Sequence, residues 1–379
     1  MLSNLIKALH GLSVTRKAVA DAIGISRPAM SAICNHGIWP AGRKEELQQS
    51  IHALLRESGA SAATLAVLFE TTTTDESKDH DMLLRKQPLY PATRKHFALF
   101  ADPFGELTDA NQVFDAAPDV KYVRLALAQT LSSERFIAVC GESGAGKSTL
   151  RRDLMDRVMR EELPVVVIEP YVLGLEDNDK KGKTLKATDI AAAIIRTVDP
   201  QAKIRQTAEA RYKQLHDVLR ESRRAGHRHI LIIEEAHGLS IPTLKHLKRF
   251  FELEDGFNKL LSIVLIGQTE LTQKLAENRP DVREVVQRIE MITLEPLNNQ
   301  LEAYIAHRLK NAGKSVNDLF DGHAIDALRA KLTVPGRQKS STPVSLLYPL
   351  AVGNQITAAM NEAAALGVPK ITADVIKAV

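Results

Sequence analysis

The stretch Phe136-Ile137-Ala138-Val139-Cys140-Gly141-Glu142-Ser143-Gly144-Ala145-Gly146-Lys147-Ser148-Thr149-Leu150 decides the fold. Five apolar residues run without a break, as in a strand buried on both faces of a sheet. Gly-x-x-x-x-Gly-Lys-Ser follows at once, and a helical pattern continues through Arg160. Glycines let the backbone turn so that several N–H groups point at one anion. The start of the following helix adds a favourable dipole for negative charge.

This strand–loop–helix is the setting in which such a motif binds nucleotide phosphates. Gly141, Glu142, Ser143, Gly144, Ala145, Gly146, Lys147, Ser148 and Thr149 form the expected cradle for ATP. Lys147 is placed to reach the β- and γ-phosphates, and Ser148 to ligate Mg²⁺. Outward from the loop, short apolar runs recur at 165–168, 230–233 and 263–266, with amphipathic helical segments between them. That alternation predicts a parallel sheet flanked by crossover helices. Beyond about Pro296 the strand-like runs stop, and 297–379 is expected to be a helical lid. Upstream, 91–296 completes the α/β domain, 71–90 is a polar linker, and 1–70 is an all-α domain.

The run Ile230-Leu231-Ile232-Ile233 ends in Glu234-Glu235. Carboxylates at a strand end beside a phosphate loop can hold a metal and polarise water. Glu234 takes the metal side and Glu235 water activation. Ile263 to Ile266 ends in Gly267-Gln268-Thr269, where Gln268 could sense the γ-phosphate. Downstream lie Arg283 and Arg288. In a ring or filament, one would reach the neighbouring subunit's nucleotide; Arg288 is preferred and Arg283 is the alternative. His227, His229 and His237 have no helical metal spacing, so no zinc is assigned.

Together, the loop, Ile-Ile-Glu-Glu-Ala-His, Leu-Ile-Gly-Gln-Thr-Glu-Leu and Val-Gln-Arg-Ile before Leu-Glu-Pro-Leu resemble the AAA+ ATPase module. The ExeA-like and TnsC-like branch is the nearest in pattern. The resemblance runs from about Phe97 to Val379, and Tyr304 to Gly313 looks like the start of the helical lid. With the N-terminal region added, the chain is most similar to the target-selecting transposition ATPases of Mu-like transposable phages. That resemblance implies a homo-oligomeric ring or filament on double-stranded DNA. Such an assembly chooses target DNA and activates a transposase in the bacterial host cytoplasm. Two departures stand out. Glu234 occupies a position where most relatives have Asp. The lid's Gly-x-x-Arg pattern is replaced near Ser341-Thr342-Pro343-Val344-Ser345, which points to slow ATP turnover; Gly336-Arg337 lies nearby.

Lys17 to Cys34 fits a helix-turn-helix, with Gly24 at the turn and Ser26 capping the second helix. Ser26, Arg27, Ala29, Ser31 and Asn35 could face DNA. Lys180, Lys181 and Lys183, in a loop after the second strand, could track phosphates. The net charge of +4 is too small to establish nucleic-acid binding by itself. No apolar run reaches the roughly 18 residues of a membrane span. The start lacks a signal-peptide pattern, and two distant cysteines, Cys34 and Cys140, fit a reducing cytoplasm. Two other functions remain open: a nucleotide-switched transcription regulator and an ExeA-like secretion or assembly ATPase.

Overall fold

The protein is described by a computed structural model that covers residues 84–170, 185–276, 279–335 and 343–379, with scattered positions between 5 and 69. The chain divides into two compact units, 1–83 and 84–379.

In the first unit, α1 (Arg16–Ala22) and α2 (Lys44–Glu57) pack with Leu5, Leu9, Met30, Ile33, Ile51 and Leu55 into one apolar core. The end of α1 is a left-handed glycine stop. Gly24 has φ +67°, and the Ile25 N–H donates to the Ala20 carbonyl at 3.0 Å. A new helical turn begins directly afterwards. Ser26 Oγ accepts from the Ala29 N–H at 3.3 Å, and the Met30 N–H donates to the Ser26 carbonyl at 3.0 Å. Expectations for Arg27, Ser31 and Asn35 lie outside the described residues.

The second unit opens with α3 (Pro91–His96) and α4 (Pro118–Gln129). Then follow β1 (Phe136–Cys140), α5 (Lys147–Arg160), β2 (Val165–Ile168), α6 (Ala187–Val198), α7 (Ala208–Arg224) and β3 (Arg228–Ile233). Next come α8 (Ile241–Phe251), a hairpin of β4 (Glu254–Asp255) and β5 (Asn258–Lys259), β6 (Ser262–Gly267), α9 (Thr269–Lys274), α10 (Arg283–Val286) and β7 (Glu290–Thr293). The lid holds α11 (Leu301–Asn311), α12 (Val316–Leu319), α13 (Ala324–Lys331), β8 (Thr333–Val334), β9 (Val344–Ser345), α14 (Pro349–Leu366) and α15 (Ala373–Ala378).

The main sheet is parallel throughout, in the order β2-β3-β6-β1-β7. Side chains of β1 alternate between its two faces. Phe136, Ala138 and Cys140 join a core with Ile190, Ile194 and Leu244, while Ile137 and Val139 join Val123, Leu150 and Leu154 on the other side. Burial on both faces is why this strand is apolar at every position. In register, Cys140 pairs with Gly267 on one side and Thr293 on the other. The phosphate loop, Glu234-Glu235 and Gln268 therefore leave the sheet at one edge, the carboxyl ends of the strands.

Three boundaries differ from the sequence reading. A fifth strand, β7, is present at Glu290–Thr293. It is a short edge strand with polar residues at both ends, so it carries no continuous apolar run. The lid region, expected to be helical, contains the β8–β9 pair. Residues 84–90, expected within the linker, are fixed to α14. Asn354 and Asn361, seven residues apart on one helix face, hold them. Asn354 Nδ2 donates to the Leu84 carbonyl at 3.2 Å, and Asn354 Oδ1 accepts from the Gln87 N–H at 3.4 Å. Asn361 Oδ1 accepts from the Tyr90 N–H at 3.2 Å and Thr93 Oγ1 at 2.8 Å, while its Nδ2 donates to the Pro88 carbonyl at 2.9 Å. This strap, the α/β layers and the lid form one compact unit rather than two separate ones.

Candidate active site

The loop after β1 has the backbone its sequence demands. Gly144 has φ +80° and Gly146 φ +99°, both in the left-handed region that costs a side chain strain. Gly146 directly precedes α5, so the loop runs straight into a helix N-terminus. Lys147 Nζ donates to the carbonyls of Gly141 at 2.7 Å and Glu142 at 2.8 Å. Burial lowers the pKa of this ammonium, and the negative charges of Glu235 and Glu142 oppose that shift. A half-buried cation resting on its own loop, beside left-handed glycines and an open helix start, fits a phosphate chain. The donors present match those the motif predicts.

Ser143, Gly144, Gly146, Lys147, Ser148 and Thr149 line one side of a cleft of about 850 Å³. Glu235 and Gln268 line it too. Glu235 is exposed and stands at the end of β3 with φ +49°. Gln268 is the first residue beyond β6, and no hydrogen bond holds its side-chain amide among the described residues. Thr269 Oγ1 donates to Glu142 Oε1 at 2.7 Å, tying this turn to the phosphate loop.

The two acids at the end of β3 part company. Glu235 faces the cleft, whereas Glu234 Oε1 lies 3.3 Å from Arg151 Nε and is absent from the cleft lining. Arg151 also pairs with Glu169 at the end of β2. Glu234 and Glu235 both lie past the last residue of β3, and at Glu235 the backbone turns into the left-handed region, so the two neighbouring carboxylates do not leave the strand end together. The metal expected on Ser148 and Glu234 is thus left with Ser148 on the cleft. Among the described residues, no cluster of three or more His, Cys, Asp or Glu side chains can hold a metal.

The far wall of the cleft comes from the lid and from the segment before α4, and the sequence reading gave none of its residues a role in the site. Arg308 on α11 is buried and donates to two carbonyls, Pro103 at 2.7 Å and Gly105 at 2.6 Å. It lines the cleft beside Tyr304 and Asn354. It lies inside the quoted Tyr-Ile-Ala-His-Arg stretch, but nothing in the local pattern marks its target, about 200 residues away. The lid meets the phosphate loop at Leu350. The Leu350 N–H donates to the Gly144 carbonyl at 3.2 Å. A Cβ on Gly144 would stand 2.5 Å from Leu350 Cβ. Next to it, Tyr348 is pushed up to about 12, first by burial and then by the charges of Glu142 and Glu295. An adjoining, more apolar recess of about 370 Å³ is lined by Val113, Leu297, Tyr304 and Pro349.

Of the two arginines proposed to act on a neighbour, Arg288 Nε lies 3.3 Å from Glu252 Oε1. Arg283 is exposed at the start of α10, and no ion pair or side-chain hydrogen bond engages it among the described residues. Neither lines the cleft of its own chain. Lys180, Lys181 and Lys183 fall outside the described residues.

With this geometry in place, comparison with known proteins is informative. Residues 129–275 match the family model described as an AAA domain. General secretion pathway protein A of Aeromonas hydrophila is 32% identical over 199 residues, which is 51% of this chain and 33% of that protein. The chain therefore spans about a third of the length of the curated relative it matches. Among solved structures, the Aeropyrum pernix ORC2 protein aligns with a TM-score of 0.48 at 16% identity, over 73% of this chain and 70% of that one. Drosophila ORC bound to DNA aligns with a TM-score of 0.47 at 14% identity, over 81% of this chain and 73% of that one. The parallel sheet, its flanking helices and the loop at its carboxyl edge are those of a P-loop AAA+ module. An AAA domain is an ATPase module, and the loop around Lys147 and Ser148 is where ATP and Mg²⁺ would be held.

Proposed function

We propose that this AAA+ ATPase module is the ATP-operated switch of a DNA-assembling protein, which coats duplex DNA as a homo-oligomer and presents target DNA to a transposase. The carrying observation is the cleft itself. It gathers Lys147, Ser148, Glu235 and Gln268 from the sheet edge and Arg308 from the lid around one volume. Lys147 and the loop N–H groups would hold the phosphates, and Ser148 the metal. The apolar recess beside Tyr304 suits the base. Mg²⁺ bound there would neutralise phosphate charge. Glu235 would accept a proton from the attacking water, with Gln268 orienting the γ-phosphate end. Arg283, without an ion pair or side-chain hydrogen bond among the described residues, is the better placed of the two arginines to complete a neighbour's site.

The DNA arm of the proposal is supported by the first unit. Gly24 stops α1, and Ser26 caps the turn that follows, the connection a helix-turn-helix requires. Ser26 and Ala29 would stand at the start of the recognition helix. A second reading, an ATPase of a secretion or assembly pathway, is supported by the 32% identity to General secretion pathway protein A.

The test is DNA binding by the full chain with ATP, with ADP and without nucleotide, on random-sequence duplex at two salt concentrations. Cooperative coating that requires ATP and is lost in Lys147→Ala supports the proposal. Binding to one short sequence regardless of nucleotide would make the protein an ATP-linked transcription regulator. No DNA binding in any state would favour the secretion-type reading.

A further inference from the structure

Glu235 is held in a backbone conformation that residues other than glycine adopt rarely, φ +49° and ψ 35°. Such strain persists only where the surroundings impose it. The 3-10 turn Ala236–Gly238 follows at once. Lys274, at the end of α9, donates its ammonium to the carbonyls of His237 and of Leu239, the latter at 2.8 Å. Burial lowers the pKa of that ammonium. From β6, Gly267 lies against the same turn: a Cβ on it would stand 3.3 Å from the His237 backbone nitrogen and 2.8 Å from Leu271 Cδ2.

The side chain of His237 turns back toward the acid. Its Nδ1 lies 3.3 Å from Glu235 Oε2. The approach is short but poorly aligned, and that buried nitrogen has no hydrogen bond. Leaving a buried polar atom unpaired is costly, so a conformation that satisfies it is favoured. Among the described residues, the only carboxylate within ion-pair distance of it is that of Glu235.

We propose that His237 is the positioning residue of Glu235, its Nδ1–H taking one carboxylate oxygen so that the other is presented to the cleft. The inference rests on Glu235 being the acid that activates water. Hydrogen bonds of this kind are often long or misaligned in an empty site and tighten in the loaded one. Lys274 anchors the turn to α9, which starts directly after Gln268. Acid and sensor therefore ride on one bracket, and His237 sets the angle of the acid upon it.

Asparagine and glutamine separate this role from mere packing. An asparagine amide places its nitrogen at the branch where Nδ1 sits; a glutamine reaches beyond it; a leucine fills the space with no donor. In the full chain, His237→Leu is expected to lower kcat for ATP hydrolysis about 10- to 100-fold, the usual effect of removing a supporting hydrogen-bond partner. KM and nucleotide affinity should stay unchanged. His237→Asn should recover most of the rate, and His237→Gln should not. A readout without nucleotide is ¹⁵N NMR of histidine-labelled protein. The proton of His237 should reside on Nδ1, and Glu235→Gln should shift that resonance. Full turnover in His237→Leu, equal rates for the Asn and Leu variants, or a proton on Nε2 that ignores Glu235→Gln would overturn the inference. Should the Leu variant not fold, the NMR comparison decides alone. Glu235→Gln separates the two levels. If it leaves hydrolysis intact, the role of Glu235 falls. If it abolishes hydrolysis while His237→Leu does not, only the role of His237 falls.

Discussion

The two walls of the cleft are built by opposite means. The sheet-edge wall comes from contiguous residues: Gly141 to Ser148 sit in a loop whose shape is set by its own glycines and by the helix it starts. The lid wall is assembled from four distant places, around 87, 104, 308 and 350, held by buried side chains that satisfy backbone carbonyls. A locally encoded wall can lose a functional group and keep its shape. A wall stitched across the chain loses shape and function together.

Substitutions should expose that difference, and the largest effect belongs to the sheet edge. Lys147→Ala is expected to weaken ATP binding by about 2–5 kcal/mol, the cost of breaking a charged, hydrogen-bonded contact. Its thermal midpoint without nucleotide should stay near that of the parent, as calorimetry and scanning fluorimetry can compare. Arg308→Met strands the carbonyls of Pro103 and Gly105, and should cost about 2–3 kcal/mol in urea unfolding while also weakening nucleotide binding. If it weakens binding alone, the lid wall is not held together as described. Gly144→Val forces a β-branched side chain onto φ +80° against Leu350. It should cost about 1–3 kcal/mol of stability, and a partner change of Leu350→Ala should relieve the clash but not the backbone strain. Asn361→Ala is the mildest. It should remove about 1 kcal/mol and raise hydrogen exchange in residues 88–93 before any other part of the unit.

The same contrast explains what could be read from the sequence. The phosphate loop, the four apolar strands and the acid-bearing end of β3 were legible because each is one continuous segment with its own period or motif. β7 was not, being four residues with a polar end on each side. The division of labour between Glu234 and Glu235 was also hidden. It depends on which way each carboxylate leaves the strand, and on Arg151 waiting on α5. Arg308, Asn354 and Asn361 carry their meaning only through partners 200 or more residues away. The preference for Arg288 over Arg283 could not take account of Glu252, 36 residues earlier, which lies 3.3 Å from Arg288 Nε. In the first unit, Gly24 and Ser26 were readable because a helix stop and a cap are local chemistry.

The account stands on one claim: that the cleft between sheet edge and lid takes ATP through Lys147 and the loop around it. Equilibrium titration of the full chain with ATP and Mg²⁺, beside Lys147→Ala of equal thermal stability, tests it directly. The expected result is one nucleotide per chain, and a loss of affinity of about 2–5 kcal/mol in the variant. Equal affinity in the two proteins, at any stoichiometry, would contradict it.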